Sequence, residues 1–127
     1  MYNVLIADDD VDAWFQLNAL LRRYLIKANF VTNLTAAKQY IDNQLPSLLF
    51  FDKHLQNNST IDLIRYVKSK SPNAKIVMIN AHEERSASPG LKPDLTISKP
   101  LIPSIIERAI VNLLHPQMNE YGPAYLN

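Results

Sequence analysis

Val4-Leu5-Ile6-Ala7-Asp8-Asp9-Asp10 is the stretch whose reading decides the fold. Its apolar half shows no polar alternation, which suits a strand buried on both faces, and the acids that follow mark where that strand ends. Similar runs rich in Val, Ile, Leu or Phe recur at Phe30–Val31, Leu48–Phe51, Lys75–Ile79 and Leu95–Ile97. Amphipathic stretches separate them, and strand alternating with helix is the pattern of repeated βα units around a parallel sheet.

Between the first two runs, Trp14, Leu17, Leu21, Tyr24 and Leu25 recur at three- and four-residue steps and put one apolar stripe on a helix, with Asp10 as its N-cap. Thr35–Asn43 reads as a second helix burying Ala36, Tyr40 and Ile41, closed before Pro46. Ile61–Lys70 is the third, with Leu63, Ile64 and Val67 inward and Ser71-Pro72 as its stop. Pro103 opens the last, which turns Ile105, Ile106, Ala109, Ile110, Leu113 and Leu114 inward. Glu83–Pro93, where a helix between the fourth and fifth strands belongs, contains Pro89, Gly90 and Pro93. These residues cost roughly 1 to 3 kcal/mol each in a helix interior, so this helix is expected to be truncated, with at most one turn before Ser88. The fold expected is α/β and doubly wound, with five parallel strands in the order 2-1-3-4-5. Residues 1–115 form the domain, and residues 116–127 are a tail in which Tyr121, Tyr125 and Leu126 dock on the domain or mediate self-association, or which has no fixed structure.

Composition narrows the function. A chain of 127 residues, 47% apolar and 20% charged, has room for one domain and can bury a core. Thirteen basic against twelve acidic side chains give +1, which lacks the broad basic face of a nucleic-acid binder, so no direct nucleic-acid partner is expected. No cysteine is present, which excludes disulfides, thiolate zinc sites and a cysteine nucleophile. The N-terminus lacks a basic start, and no apolar run approaches the ~18 residues of a membrane span, so a cytoplasmic protein without membrane contact is expected. With Gly90 and Gly122 as its only glycines, the chain has no phosphate-binding P-loop.

In an open parallel sheet, functional residues lie past the C-terminal ends of the strands. Asp8, Asp9 and Asp10 follow the first strand, Asp52 ends the third, Asn80 ends the fourth and Lys99 follows the fifth. Strands one and three are neighbours in the expected order, so their acids converge. Two unit charges about 4 Å apart repel by roughly 4 kcal/mol at an effective dielectric near 20, which calls for protonation or a cation. Oxygen ligands without His or Cys favour a hard ion, and few protein ligands favour Mg²⁺ over Ca²⁺. The plainer reading is that the acids cap the next helix and face solvent.

Taken together, Val4–Asp10, Leu48–Asp52, Ile76–Ala81 and Ile97–Pro100 resemble the receiver domain of two-component response regulators, which has a flavodoxin-like fold, over residues 1 to about 115. The resemblance implies that Asp8, Asp9 and Asp52 bind Mg²⁺, with the His54 backbone carbonyl as a further ligand. It makes Asp52 the acceptor of a phosphoryl group from a histidine kinase or phosphotransfer protein, Lys99 a phosphoryl contact, and the Lys99-Pro100 bond cis. It further implies a signalling role through a downstream protein, not enzymatic activity.

Departures from the family pattern are concentrated in the switch. Asn80 stands where Thr or Ser is usual and can contact the phosphoryl only through a longer carboxamide; Thr96 stands where an aromatic ring is usual. Gln56 replaces the usual proline and Thr60 the usual glycine, around a polar, turn-prone Asn57-Asn58-Ser59. The side chain of His54 either orients water or faces solvent; His82 and His115 are expected at the surface, and Trp14 is either core or a kinase contact. Two rivals follow: a non-switching pseudo-receiver acting as a constitutive protein-binding module, and an aspartate-nucleophile hydrolase. The hydrolase would need an acid where His54 stands.

Overall fold

The computed structural model describes residues 2–80 and 93–114. Along the chain run β1 (Val4–Ala7), α1 (Val11–Arg22), β2 (Ala28–Val31), α2 (Leu34–Asn43), β3 (Leu48–Asp52), β4 (His54–Leu55), β5 (Asn58–Ser59), α3 (Ile61–Lys70), β6 (Lys75–Asn80), β7 (Leu95–Ser98) and α4 (Pro103–Leu113). One parallel sheet orders its strands β2-β1-β3-β6-β7, which is the expected 2-1-3-4-5, and β4 with β5 forms a separate antiparallel hairpin. The expected truncated helix over Glu83–Pro93 lies almost wholly outside the described residues, as do His82, His115 and the tail.

Successive side chains on a strand point to opposite faces, so runs without polar alternation build two cores. Val4, Ile6, Phe50, Val77 and Ile79 pack on one face with Leu17 and Leu21 of α1 and Ile106 and Ile110 of α4. Leu5, Ala7, Leu49, Phe51, Ile76 and Met78 pack on the other with Ala37 and Ile41 of α2 and Ile64 and Val67 of α3. Register aligns Ala7 with Phe51, Asp52 with Ile79 and Asn80 with Ser98. The residues just past these positions therefore emerge together at one edge.

Several expected details shift. β2 begins at Ala28, two residues before Phe30, because its pairing with β1 starts at Val4 and Ala28. In α2, Ala37 is buried with Ile41, while Ala36 and Tyr40 are half-buried; adjacent alanines leave the phase of the stripe open by one position. In α4, Ile106, Ala109, Ile110 and Leu114 are buried, whereas Ile105 is exposed and Leu113 half-buried, which narrows the expected stripe.

Leu25 is the clearest correction. It is 82% exposed, because the chain leaves the helix before reaching it. The Ile26 amide returns to the Leu21 carbonyl at 3.1 Å and the Leu25 amide to the Arg22 carbonyl at 3.0 Å, the paired bonds of a Schellman ending. Leu25 holds the left-handed position of that motif at φ 60°, and Ile26 takes the buried place. A side chain in the left-handed region costs roughly 1 to 2 kcal/mol, part of which glycine would return as chain entropy. Leu25→Gly is expected to stabilise the protein by about 0.5 to 1 kcal/mol in urea denaturation, since it also removes little buried surface. A loss of stability would show that the strain is compensated elsewhere.

Candidate functional site

The parallel ladder continues one residue beyond the strands and carries the site with it. The Asp8 amide donates to the Val31 carbonyl at 3.1 Å, Lys53 to Ile79 at 2.8 Å and Lys99 to Asn80 at 3.0 Å. Asp10 caps α1 as expected: its side chain accepts from the Asp12 amide at 3.0 Å, and its own amide donates to Asp8 Oδ1 at 2.9 Å. Lys99 leads into a cis bond with Pro100.

Asp8, Asp9 and Asp52 each bring one carboxylate oxygen within 4.8 Å of the others. Lys99 Nζ stands among the acids, 3.2 Å from Asp8 Oδ1, 3.1 Å from Asp52 Oδ2 and 3.5 Å from Asp10 Oδ2. Asp8 is fully buried, Asp52 half-buried and Asp9 exposed. Burial pushes the Asp8 carboxyl up to about 7; the Asp52 charge adds to the rise, and the Asp10 amide and the Lys99 charge oppose it. For Lys99, burial works against the charge, but the Asp8 and Asp52 carboxylates outweigh it and hold the ammonium above its ordinary value. One ammonium cannot neutralise this group of acids. Asp8 Oδ2 is buried without a hydrogen-bond partner among the described residues, so the donor set fits a small, hard cation.

Of the other residues expected at the site, Asn80 ends β6 and Thr96 lies on β7. Asn80 is buried, and its Oδ1 has no hydrogen-bond partner among the described residues. Thr96 is exposed on β7, beside a surface cavity of about 330 Å³ also lined by Pro100, Leu101 and Ile105. His54 is exposed, and its amide donates to Asp52 Oδ1 at 3.0 Å. Trp14 is half-buried, packed on the α1 face of the core and against Phe30 with ring centroids 5.4 Å apart. Exposed Val11 and Phe15, one helical turn apart on α1, went unread because they lie off the buried stripe.

The loop after Asp52, expected as polar and turn-prone, closes into an anchored hairpin that its composition did not specify. Gln56 and Asn57 have φ of 50° and 67°, the paired positive values of a two-residue hairpin turn. The Gln56 amide at its tip donates to Asp9 Oδ2 at 3.1 Å, Leu55 is fully buried, and Thr60 is fully buried at its base. A lone leucine in a polar loop was the available signal for an anchored hairpin.

Comparison with known proteins gives the family and agrees with the fold. The family model of the response regulator receiver domain matches residues 4–110, and the chain belongs to that family. Among solved structures, the chain is similar to the receiver domain of NtrX from Brucella abortus, at 22% identity and TM-score 0.74, covering 90% of this chain and 99% of that one. It is also similar to a putative response regulator from Chloroflexus aurantiacus J-10-fl, at 24% identity and TM-score 0.76, covering 89% and 97% respectively. The receiver domain of PhyR from Erythrobacter litoralis matches at 24% identity and TM-score 0.78, covering 89% of each chain. These likenesses establish the fold. A search of curated proteins finds no match.

Burial of Asp8 has a consequence for stability. Folded protein keeps the Asp8 proton up to about pH 7, whereas the unfolded chain releases it near 3.8. Between these values the folded state binds more protons, so the contribution of Asp8 is fully present below the lower value and is lost as pH rises through the upper one. Without divalent metal, stability should therefore fall across this window by up to about 1.4 kcal/mol per pH unit relative to Asp8→Asn. Urea denaturation in chelator from pH 4.5 to 7.5 checks this; parallel profiles for the two proteins would remove Asp8 as the cause.

Proposed function

We propose that the chain is a phosphoacceptor in a phosphorelay: Asp52 takes a phosphoryl group from a histidine kinase or phosphotransfer protein, and the modified chain signals through a downstream protein in the cytoplasm. Residues 1–115 would be the receiver unit and 116–127 its tail. The observation that carries the reading is Lys99 Nζ placed between Asp8 and Asp52, at 3.2 and 3.1 Å, within a cluster of three converging carboxylates. Response regulator receivers are signalling modules, and the chain's membership in that family supports this role over an enzymatic one.

One oxygen of the Asp52 carboxylate attacks phosphorus, and the bond from phosphorus to the donor breaks, its electron pair leaving with the donor. A carboxylate is a weak nucleophile, so the surroundings must lower the cost of bringing anions together. Asp8, Asp9, Asp52 and the His54 carbonyl would hold Mg²⁺, which supplies positive charge to the phosphoryl oxygens when bound. Lys99 adds a fixed cation beside Asp52. The acyl phosphate formed carries about 1.5 to 2 negative charges if it titrates like other phosphoryl groups.

Mass spectrometry soon after treatment with a small-molecule phosphodonor and Mg²⁺ should show one added phosphoryl group on the wild type and none on Asp52→Asn. Calorimetric titration should show Mg²⁺ binding weakened by tenfold or more in Asp9→Ala, roughly the loss of one charged ligand. A phosphorylated Asp52→Asn protein, or equal Mg²⁺ affinities, would overturn the corresponding assignment.

The second reading, a constitutive protein-binding module that does not switch, draws support from the buried Asn80 Oδ1, which has no hydrogen-bond partner among the described residues, and from exposed Thr96. A modification shifts a conformational equilibrium only by its differential interaction with the two states, and these positions lack the usual hydroxyl and ring. Beryllofluoride, standing in for the phosphoryl group, is expected to perturb amide chemical shifts near Asp52 and little beyond. Large changes running through Asn80 and Thr96 would instead show a working switch.

A further inference from the structure

Thr60 closes the hairpin and precedes α3, and it is fully buried. Its hydroxyl lies 2.9 Å from the Asp52 carbonyl oxygen and 3.1 Å from that of Lys53, and its amide donates to the Lys53 carbonyl at 3.1 Å. A threonine before a helix ordinarily uses its side-chain oxygen to cap the first turn. Thr60 makes no such bond, and Ser59 Oγ accepts the Ile61 amide instead at 3.2 Å. The hydroxyl is thus committed to the two carbonyls at the foot of the loop. With φ at −94°, the backbone here accommodates a Cβ without strain.

These bonds hold the peptide between Lys53 and His54 at both ends. Its carbonyl is bound by Thr60, and its amide hydrogen is donated to Asp52 Oδ1 at 3.0 Å. In a trans peptide plane the C=O and N–H point in opposite directions, so fixing one aims the other. The preceding plane is pinned to the sheet by the Lys53 amide on the Ile79 carbonyl at 2.8 Å. Asp52 Oδ1 is consequently held by His54 while Oδ2 faces Lys99 at 3.1 Å.

We infer that Thr60 is a positioning residue for the phosphoacceptor: through the Lys53–His54 peptide it presents the His54 N–H to Asp52 Oδ1 and so sets the orientation of the carboxylate. The inference rests on Asp52 being the acceptor, and it assigns to a threonine hydroxyl the closing of a loop at a position where receivers usually carry glycine. Gln56 reinforces the arrangement from the hairpin tip, where its amide holds Asp9 Oδ2.

Thr60→Val keeps the shape and removes the hydroxyl; Thr60→Ser keeps the hydroxyl and removes the methyl. The measurements are the His54 amide proton resonance and its hydrogen-exchange protection in the unmodified, metal-free protein, and the initial rate of phosphoryl uptake from a small-molecule phosphodonor at saturating Mg²⁺. Thr60→Val is expected to shift the His54 resonance upfield, lower its protection and slow uptake about tenfold, as the loss of one buried hydrogen bond would. Thr60→Ser should retain all three. Should the valine protein fail to fold, Thr60→Ala takes its place in the same comparison. A wild-type His54 resonance in the valine or alanine protein would overturn the inference, as would a serine protein equally impaired, which would assign the effect to methyl packing. If the wild type itself takes up no phosphoryl group, the acceptor reading fails, and the His54 resonance still decides the role of Thr60.

Discussion

The ammonium of Lys99, set among Asp8, Asp10 and Asp52, is the interaction on which the candidate site depends. The acids reach one place because β1 and β3 are neighbours in register, and the lysine reaches them from β7, two strands beyond β3. At separations near 4 Å each carboxylate pair repels by several kcal/mol at an intermediate dielectric, so the cluster would splay without a counter-charge. One lysine offsets part of that repulsion, and the rise of the Asp8 pKa to about 7 reflects both the burial of its carboxyl and the charge that stays uncompensated. An incoming phosphoryl group would add to the deficit. The site is thus built to be incomplete, and the same imbalance that burdens the metal-free fold is what would draw a divalent cation into it.

A sheet buried on both faces is what allows this imbalance to persist. Strands β1 and β3 are almost wholly inaccessible to solvent, with helices packed on either side, so the acids cannot relax apart by moving the strands that carry them. The adjustable parts are the connections beyond the strand ends. Among them the β4–β5 hairpin is tied down at three points: Leu55 in the core, the Gln56 amide on Asp9 and the Thr60 hydroxyl at its base.

Much of this was legible in the sequence because it follows from periodicity. Apolar runs alternating with helical stripes gave the five parallel strands, their order followed from the common doubly wound arrangement, and Asp10 could be read as a cap from its place before the α1 stripe. Other features fall below the resolution of such patterns. Strands of two residues, as in β4 and β5, are too short to show a period. Leu25 continues the helical spacing by composition, and only the backbone bonds of Leu25 and Ile26 take it out of the helix. For Ala36 and Ala37, two small apolar neighbours fit the same stripe, and packing against the sheet selects the second. Thr60 was legible as a departure from the family pattern, whereas the two carbonyls it binds depend on a turn that the loop composition suggested without specifying.

The departures from the family pattern fall on two sides of the site, with different physical consequences. On the Asp52 side, Thr60 stands where glycine is usual and its hydroxyl bonds the loop that follows Asp52. On the β6–β7 side, Asn80 leaves a buried carboxamide oxygen without a partner among the described residues, and β7 carries exposed Thr96 where an aromatic ring is usual in the family. An unsatisfied buried oxygen costs on the order of 1 to 3 kcal/mol, so an arrangement that paired Asn80 Oδ1 would be favoured by a similar amount. Whether the phosphoryl group drives such a rearrangement depends on the face Asn80 presents to it. A carboxylate oxygen or phosphoryl oxygen can accept only from the amide nitrogen, which would leave Oδ1 still in search of a donor. Contact with the phosphoryl group and satisfaction of Oδ1 are therefore separate requirements at Asn80, whereas a hydroxyl can donate to the phosphoryl group and accept from a neighbour through one atom. Under the proposed function, that chemical difference would make acceptance at Asp52 separable from the conformational response to it.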